Sequence, residues 1–339
     1  MGRKAISTHG ACVIAAASVV GKKEFEGPLG EKFDVHDDTD RFGAPTFELS
    51  ESEMQRIALG LALGKAGISS DTLGALFAGD LLNQCVGSAF GLLEYDVPYF
   101  GLYGACSTAA EGLVLSSMLV SKGAFETAAA VTSSHNAAAE RQYRNPLEYG
   151  GQRTPTSQWT VTGSGAFVVS TAEKAKSTPL AYISDVMPGI VVEKGITDAN
   201  NMGAAMAPAA LDTLLAYFEA TGKSPCDFDG IYTGDLGAEG SSILGELLEA
   251  SGVNCADRLF DCGVMIYERK KQDVHAGGSG CGCSAVVAAA HLLPELYEGR
   301  QKSILFIGTG AMMSPSSSKQ GQAIPAVAHL VHFTGRGKE

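Results

Sequence analysis

The chain has 339 residues, 45% of them hydrophobic and 18% charged, with a net charge of -12. That balance excludes a disordered chain, and the length supplies more core than one small domain needs. With no basic stripe, the acidic total also excludes a phosphate-tracking nucleic-acid binder.

The first apolar run, ACVIAAASVVG (11–21), lies between Gly10 and Gly21 and is rich in Ala, Val and Ile. It reads as a buried strand rather than a signal peptide, and it is shorter than the ~18 apolar residues of a membrane span. SESEMQRIALGLALGKAG (50–67) has helical periodicity, with Ser50 or Ser52 as its cap and Gly67 as its stop. The strand ALFAGDLL (75–82) follows, then CSTAAEGLVLSSMLVSKG (106–123) as a helix and ETAAAVTSS (126–134) as a strand. Residues 135–160 form the long segment HNAAAERQYRNPLEYGGQRTPTSQWT, which carries three arginines, two tyrosines and the one tryptophan. A connection of more than ~12–15 residues that is so aromatic reads as an ordered binding or dimer-contact loop.

The order then repeats. PAALDTLLAYFEATGKSP (208–225) is a helix and GIYTGDLG (230–237) a strand. CSAVVAAAHLLPELYEG (283–299) is a second cysteine-headed helix, followed by the strand QKSILFIGTG (301–310). FAGDL matches YTGDL, so Asp80 corresponds to Asp235, and Cys106 to Cys283. The copies imply two duplicated halves, 1–175 and 176–339, in a layered α/β fold with buried sheets. PAVAHLVHFTG (325–335) alternates as a half-buried edge strand would.

The eight cysteines include no CxxC pair. Free thiols follow, and the CxC of Cys281 and Cys283 reads as packing rather than as a metal pair. Cys106 stands in the small-residue elbow GACS at the head of its helix. Orphan N–H groups and the helix dipole there favour thiolate, so the residue reads either as a nucleophile or as a packed thiol. Gly104 and Ala105 are the residues expected to allow the sharp turn and to leave space above the sulfur. A nucleophile needs a base, for which His135 and His275 are the candidates. His9, His36, His329 and His332 read as surface residues, and His291 as structural.

The elbow at Cys106, the glycine-rich GGSGCGCSA (277–285) and the duplicated halves resemble the thiolase and ketoacyl-synthase superfamily. The resemblance implies a five-layered αβαβα fold and a homodimer, with a pocket where the halves meet. It also implies a histidine after the middle strand of the second half, where this chain has Gly234 or Asp235. Ser279 stands where that superfamily has an asparagine or histidine.

A narrower resemblance rests on HNAAAERQ, YGGQRTPTSQWT and TGSGA, with AGDLLNQ and GACSTAAEGL. These are similar to the stage V sporulation protein AD family of spore-forming Firmicutes. That family implies binding of dipicolinic acid (pyridine-2,6-dicarboxylate) or its calcium complex. It implies uptake into the developing spore and release at germination, and a peripheral place on the spore inner membrane with the membrane SpoVA proteins.

A flat dicarboxylate needs Arg forks, polar donors and an aromatic or apolar wall. Cys106, His135, Asp80, Asn83, Gln84, Arg141, Tyr149, Arg153 and Ser279 are the residues expected at such a site. No resident cofactor or protein-bound metal is expected, and calcium enters only with the ligand. Asp80 and Asp235 recur in both halves, which equally fits a structural role. Two other readings stay open: an acyl-transferring or condensing enzyme that uses Cys106, and a scaffold that keeps only its interaction surfaces.

Overall fold

The computed structural model describes residues 3–143, 153–175, 178–255 and 257–335, the side chains of 141–143 excepted. Its strands are β1 (Ile6–Ser7), β2 (Ala11–Gly21), β3 (Val35–Asp37), β4 (Ala75–Gly79), β5 (Tyr99–Gly101), β6 (Thr127–Ser134), β7 (Trp159–Thr160) and β8 (Gly163–Thr171). They continue as β9 (Ala181–Met187), β10 (Gly230–Thr233), β11 (Leu259–Asp261), β12 (Gly278–Ser279), β13 (Ser303–Ala311) and β14 (Ala326–Thr334). The helices that place the site are α1 (Lys22–Phe25), α2 (Phe47–Ala66), α3 (Val86–Gly91), α4 (Thr108–Ser121), α5 (Asn136–Tyr143), α6 (Met202–Thr221), α7 (Gly237–Ala250), α8 (Cys262–Met265) and α9 (Cys281–Val287).

The strand order is β11-β10-β13-β14-β9-β2-β8-β6-β4-β5. Read inward from its two ends, this path places β5 opposite β11, β4 opposite β10, β6 opposite β13, β8 opposite β14 and β2 opposite β9. The ladder joining β2 to β9 is only two residues long, Cys12–Tyr182 and Val13–Ala181, so two five-stranded sheets meet there. Helices α4 and α9 fill the space between the sheets. Helix α2 covers the outer face of one sheet and α6 and α7 that of the other. This is the five-layered αβαβα arrangement.

Local physics explains the segments. The run 11–21 is buried at every position, because sheet β2 is covered on both faces. Helix α2 starts earlier than its charge pattern implies. Its cap is Thr46, whose Oγ1 accepts from Leu49 N at 3.2 Å, while Ser50 and Ser52 lie inside the helix. Gly67, at φ 65°, ends it as expected.

Strand β14 is not an edge strand. It pairs with β13 on one side and β9 on the other, because its alternating polar residues are absorbed by partners inside the fold. His332 among them is 4% exposed, between Asp185 at 3.1 Å and Ser303 at 2.9 Å. His329 is half-buried, and burial pushes its pKa down to about 4. Neither is the surface histidine that its place near the terminus implied.

Candidate functional site: a cavity over Cys106

The segment 135–160 is not one loop. It opens as helix α5 and closes as strand β7, which pairs in parallel with β12 and sets Thr160 beside Ser279. The two glycine- and serine-rich pieces singled out in the sequence therefore meet. Cys106 comes to them from the tight turn Ala105–Ser107 at the head of α4.

The two small residues take different parts in the turn. Gly104 has an ordinary φ of -96°, and Ala105 takes the left-handed conformation at 49°. A non-glycine residue held there costs about 1–3 kcal/mol. Gly104 is required for space instead: a Cβ on it would lie 2.5 Å from Ser107 Oγ and 2.6 Å from Glu111 Oε2.

Cys106, Ser279, Thr160, Leu81, Tyr103, Ala139, Glu140 and Met202 line a cavity, which Ala105, Ala311 and Met313 complete. The centre of a water molecule can reach about 50 Å³ of it. One water needs ~10–15 Å³ on that measure, so there is room for a few waters or one small flat molecule. Among the described residues the one charged side chain on the wall is Glu140, whose Oε1 accepts from Thr160 Oγ1 at 3.3 Å.

Beneath the cavity the Cys106 thiol lies against the Asp235 carboxyl. Asp235 also accepts from Gly280 N at 2.8 Å and Thr309 Oγ1 at 2.9 Å. Burial lifts its pKa to about 7. Burial and then the Asp235 charge push the Cys106 thiol well above its usual range, with Gly280 N–H acting in the opposite direction. An imidazolium would lower the thiol; a carboxylate raises it. The helix terminus alone does not reverse that, and Cys106 is a thiol at neutral pH.

Cys281 Sγ donates to Ser133 O at 2.9 Å, at the end of β6, and Cys283 points to Gly234 O, 3.7 Å away.

The other expected site residues are dispersed. Asp80 is fully buried, accepting from Leu82 N at 2.9 Å, Ser88 N at 2.7 Å and Ser88 Oγ at 2.6 Å. Behind it lies Glu51, raised well above the usual carboxyl range by burial and then by the Asp80 charge. Asn83 and Gln84 border a second cavity with Glu48, Leu82, Val86, Ala89 and Ala138. Its inner residues Leu82 and Ala138 are the chain neighbours of Leu81 and Ala139, which wall the first cavity.

His135 is buried, with Nε2 donating to Asp40 O at 2.8 Å and Nδ1 accepting from Ala137 N at 3.2 Å. Burial lowers its pKa, so it is a neutral anchor for the start of α5, not part of the wall. Arg153 is paired with Asp273 at 2.7 Å and lies 5.0 Å over Trp159. His275 is held by Thr154 O at 2.6 Å and Asp273 at 3.1 Å. The Arg141 side chain and Tyr149 lie outside the described residues.

The lining residues Glu140, Thr160, Tyr103 and Leu81 were not singled out in the sequence. The signals were present: Glu140 is one helical turn into α5, and Thr160 ends the aromatic segment. Among the described residues no group of three or more His, Cys, Asp or Glu side chains is placed to hold a metal.

Paired half-sheets, a central helix pair and a cysteine elbow over their junction define a thiolase-like protein. Solved structures agree on the fold. A Xanthomonas campestris OleA with one histidine replaced by asparagine superposes with a TM-score of 0.62 at 14% identity, over 97% of this chain and 99% of that one. An OleA cysteine-to-serine variant with bound lauric acid and lauroyl-CoA gives 0.59 at 14%, over 96% and 99%. The stage V sporulation protein AD family model matches residues 3–334. The Bacillus subtilis (strain 168) stage V sporulation protein AD is 41% identical over 330 residues, covering 97% of this chain and 96% of its own. The chain belongs to the stage V sporulation protein AD family and is a sporulation protein.

Proposed function

We propose that this protein is a non-catalytic binding protein whose Cys106 cavity takes dipicolinic acid, preferentially as its calcium complex. It would serve uptake into the developing spore and release at germination, working with the membrane SpoVA proteins. One observation carries the reading: the cavity thiol faces Asp235 rather than an imidazole. A thiol held up by a carboxylate gives no thiolate to attack an acyl group and no acid to follow it.

The size of the cavity supports the same reading, since it suits a small flat molecule better than a long acyl chain. The chelate is favoured over the free dianion because Glu140 is the charged group on the described wall. A bare dianion would meet that carboxylate unscreened. Calcium takes ~6–8 oxygens, and one already chelated by the ligand still has places for Glu140 and for the Ser279 and Thr160 hydroxyls.

No helix among the described residues is long and apolar enough to cross a membrane, so a peripheral place on the inner membrane would depend on the partners. A homodimer would use β5, which among the described residues pairs only with β4. Tyr99 and Phe100 on it are 39% and 47% exposed, and such an apolar edge invites a second strand.

The test is twofold. Calorimetric titration with dipicolinate, with and without calcium, should give binding that calcium strengthens. Incubation with acyl-CoA donors should leave the mass of Cys106 unchanged; an acyl adduct on it would establish the condensing-enzyme reading instead.

A further inference from the structure

Residues 38–46 connect β3 to α2 and lie against the start of α5. Two of their residues hold left-handed conformations that side chains disfavour, Asp40 at φ 56° and Phe42 at φ 50°. Asp40 fastens the loop at two points. Its Oδ1 accepts from Lys22 N at 2.8 Å, and its carbonyl accepts from His135 Nε2 at 2.8 Å. The Phe47 ring, at the head of α2, lies 5.1 Å from the His135 ring, with the Arg41 guanidinium 4.0 Å over it. His135 in turn begins α5, whose Ala139 and Glu140 wall the Cys106 cavity.

Against Asp40 stands Glu24, 1% exposed. Its Oε1 accepts from Tyr267 Oη and from Thr162 N at 3.1 Å, whereas its Oε2 is buried without a partner. A Cβ placed on Gly21 would lie 2.9 Å from Glu24 Oε2 and 2.3 Å from Asp40 Oδ1, so the free oxygen shares that neighbourhood with the Asp40 carboxyl. Two acid groups therefore converge on one spot with no cation between them.

We propose that the 38–46 loop is a proton-dependent strap on α5, fastened while Glu24 holds a proton beside Asp40 and loosened when Glu24 is ionised. It rests on the reading of the Cys106 cavity as a ligand site only for its consequence, a proton-controlled access to that cavity.

The surroundings set the sign. Glu24 is met by Tyr267 from the segment after α8 and by Asp40 from the loop, and Cys283 of α9 lies behind Tyr267. None of these brings a positive charge. Burial, then the Asp40 charge, raises Glu24 to about 7 against the hydrogen bonds of Tyr267 and Thr162. His135 is met by Asp40, Glu48 and Arg41, and burial keeps it neutral, so it does not titrate in opposition. Above neutral pH the buried Glu24 charge faces the partly exposed Asp40 carboxylate, and the movable one is Asp40, on a strained loop.

Hydrogen exchange on the full, ligand-free chain tests this at pH 6 and pH 8.5, with rates corrected for intrinsic chemistry. Opening of amides 38–46 and 136–140 should rise by roughly tenfold at the higher pH in the wild type. Glu24→Gln, which copies the neutral acid, should keep both segments closed at both values. Asp40→Asn should do the same and serves if the first variant does not fold. No pH response in the wild type, or the same response in both variants, overturns the strap. Closure at pH 8.5 that needs added calcium overturns it too, by putting a cation where we place the proton. The readout needs no ligand, so absent dipicolinate binding would leave it standing.

Discussion

Asp80 follows β4 and Asp235 follows β10, and the two strands hold corresponding places in their sheets. Both carboxyls are buried. Asp80 spends both oxygens on the turn after its strand, with Ser88 and Leu82 as donors and Glu51 behind it. Asp235 gives its oxygens to Gly280 and Thr309 and keeps a thiol under a cavity. The same residue in the same place is a structural clasp in one sheet and the floor of a pocket in the other. Recurrence in sequence therefore marks a position without fixing its task.

The largest effect that sharpens this contrast is on stability. Asp80→Ala strands the Ser88 and Leu82 amides in a dry interior and should cost about 3 kcal/mol in chemical denaturation. Asp235→Ala should cost about half as much, because water from the cavity can reach its partners. A reversed order would break the comparison.

The pH dependence follows next. Glu24 and Asp235 are each raised by burial to about 7 from ordinary values of 4.5 and 3.8. A raised acid lends stability that is complete below its unfolded pKa and lost as pH rises through its folded one. Stability should thus fall between pH 5 and pH 8, by on the order of 3 kcal/mol for each group. Asp235→Asn and Glu24→Gln should each flatten part of the slope in melts across that range.

A smaller effect concerns reactivity. Asp235→Asn removes the charge that holds up the Cys106 thiol, so alkylation by iodoacetamide at pH 8 should quicken by about tenfold. An unchanged rate would mean that burial alone sets the thiol. The smallest effect lies far from the comparison: Thr46→Ala removes the α2 cap and should cost about 1 kcal/mol in a thermal melt.

Much of the fold was legible because its signals are local. Strand β2, the helix stop at Gly67 and the paired motifs FAGDL and YTGDL announce themselves in a few residues each. The cap at Thr46 was not legible, since Ser50 and Ser52 satisfy the same pattern and tertiary contacts chose between them. Of the site, Cys106 and Ser279 were legible as an elbow and a glycine-rich turn, and the structure brings them to one cavity. His135 and Arg153 have the right chemistry in the right segment, but Asp40 and Asp273 take them up as partners. Residue type tells what a side chain can bind, and only packing decides what reaches it first.

On the proposed function, the Cys106 cavity holds a ligand without using the thiol as a nucleophile. Calorimetry with calcium dipicolinate on three proteins tests it most directly. The wild type should bind, Cys106→Ala should bind within about tenfold of it because the thiol supplies only contact, and Cys106→Trp should lose binding because the ring fills the cavity. Absence of binding to the wild type, or undiminished binding to Cys106→Trp, would contradict it.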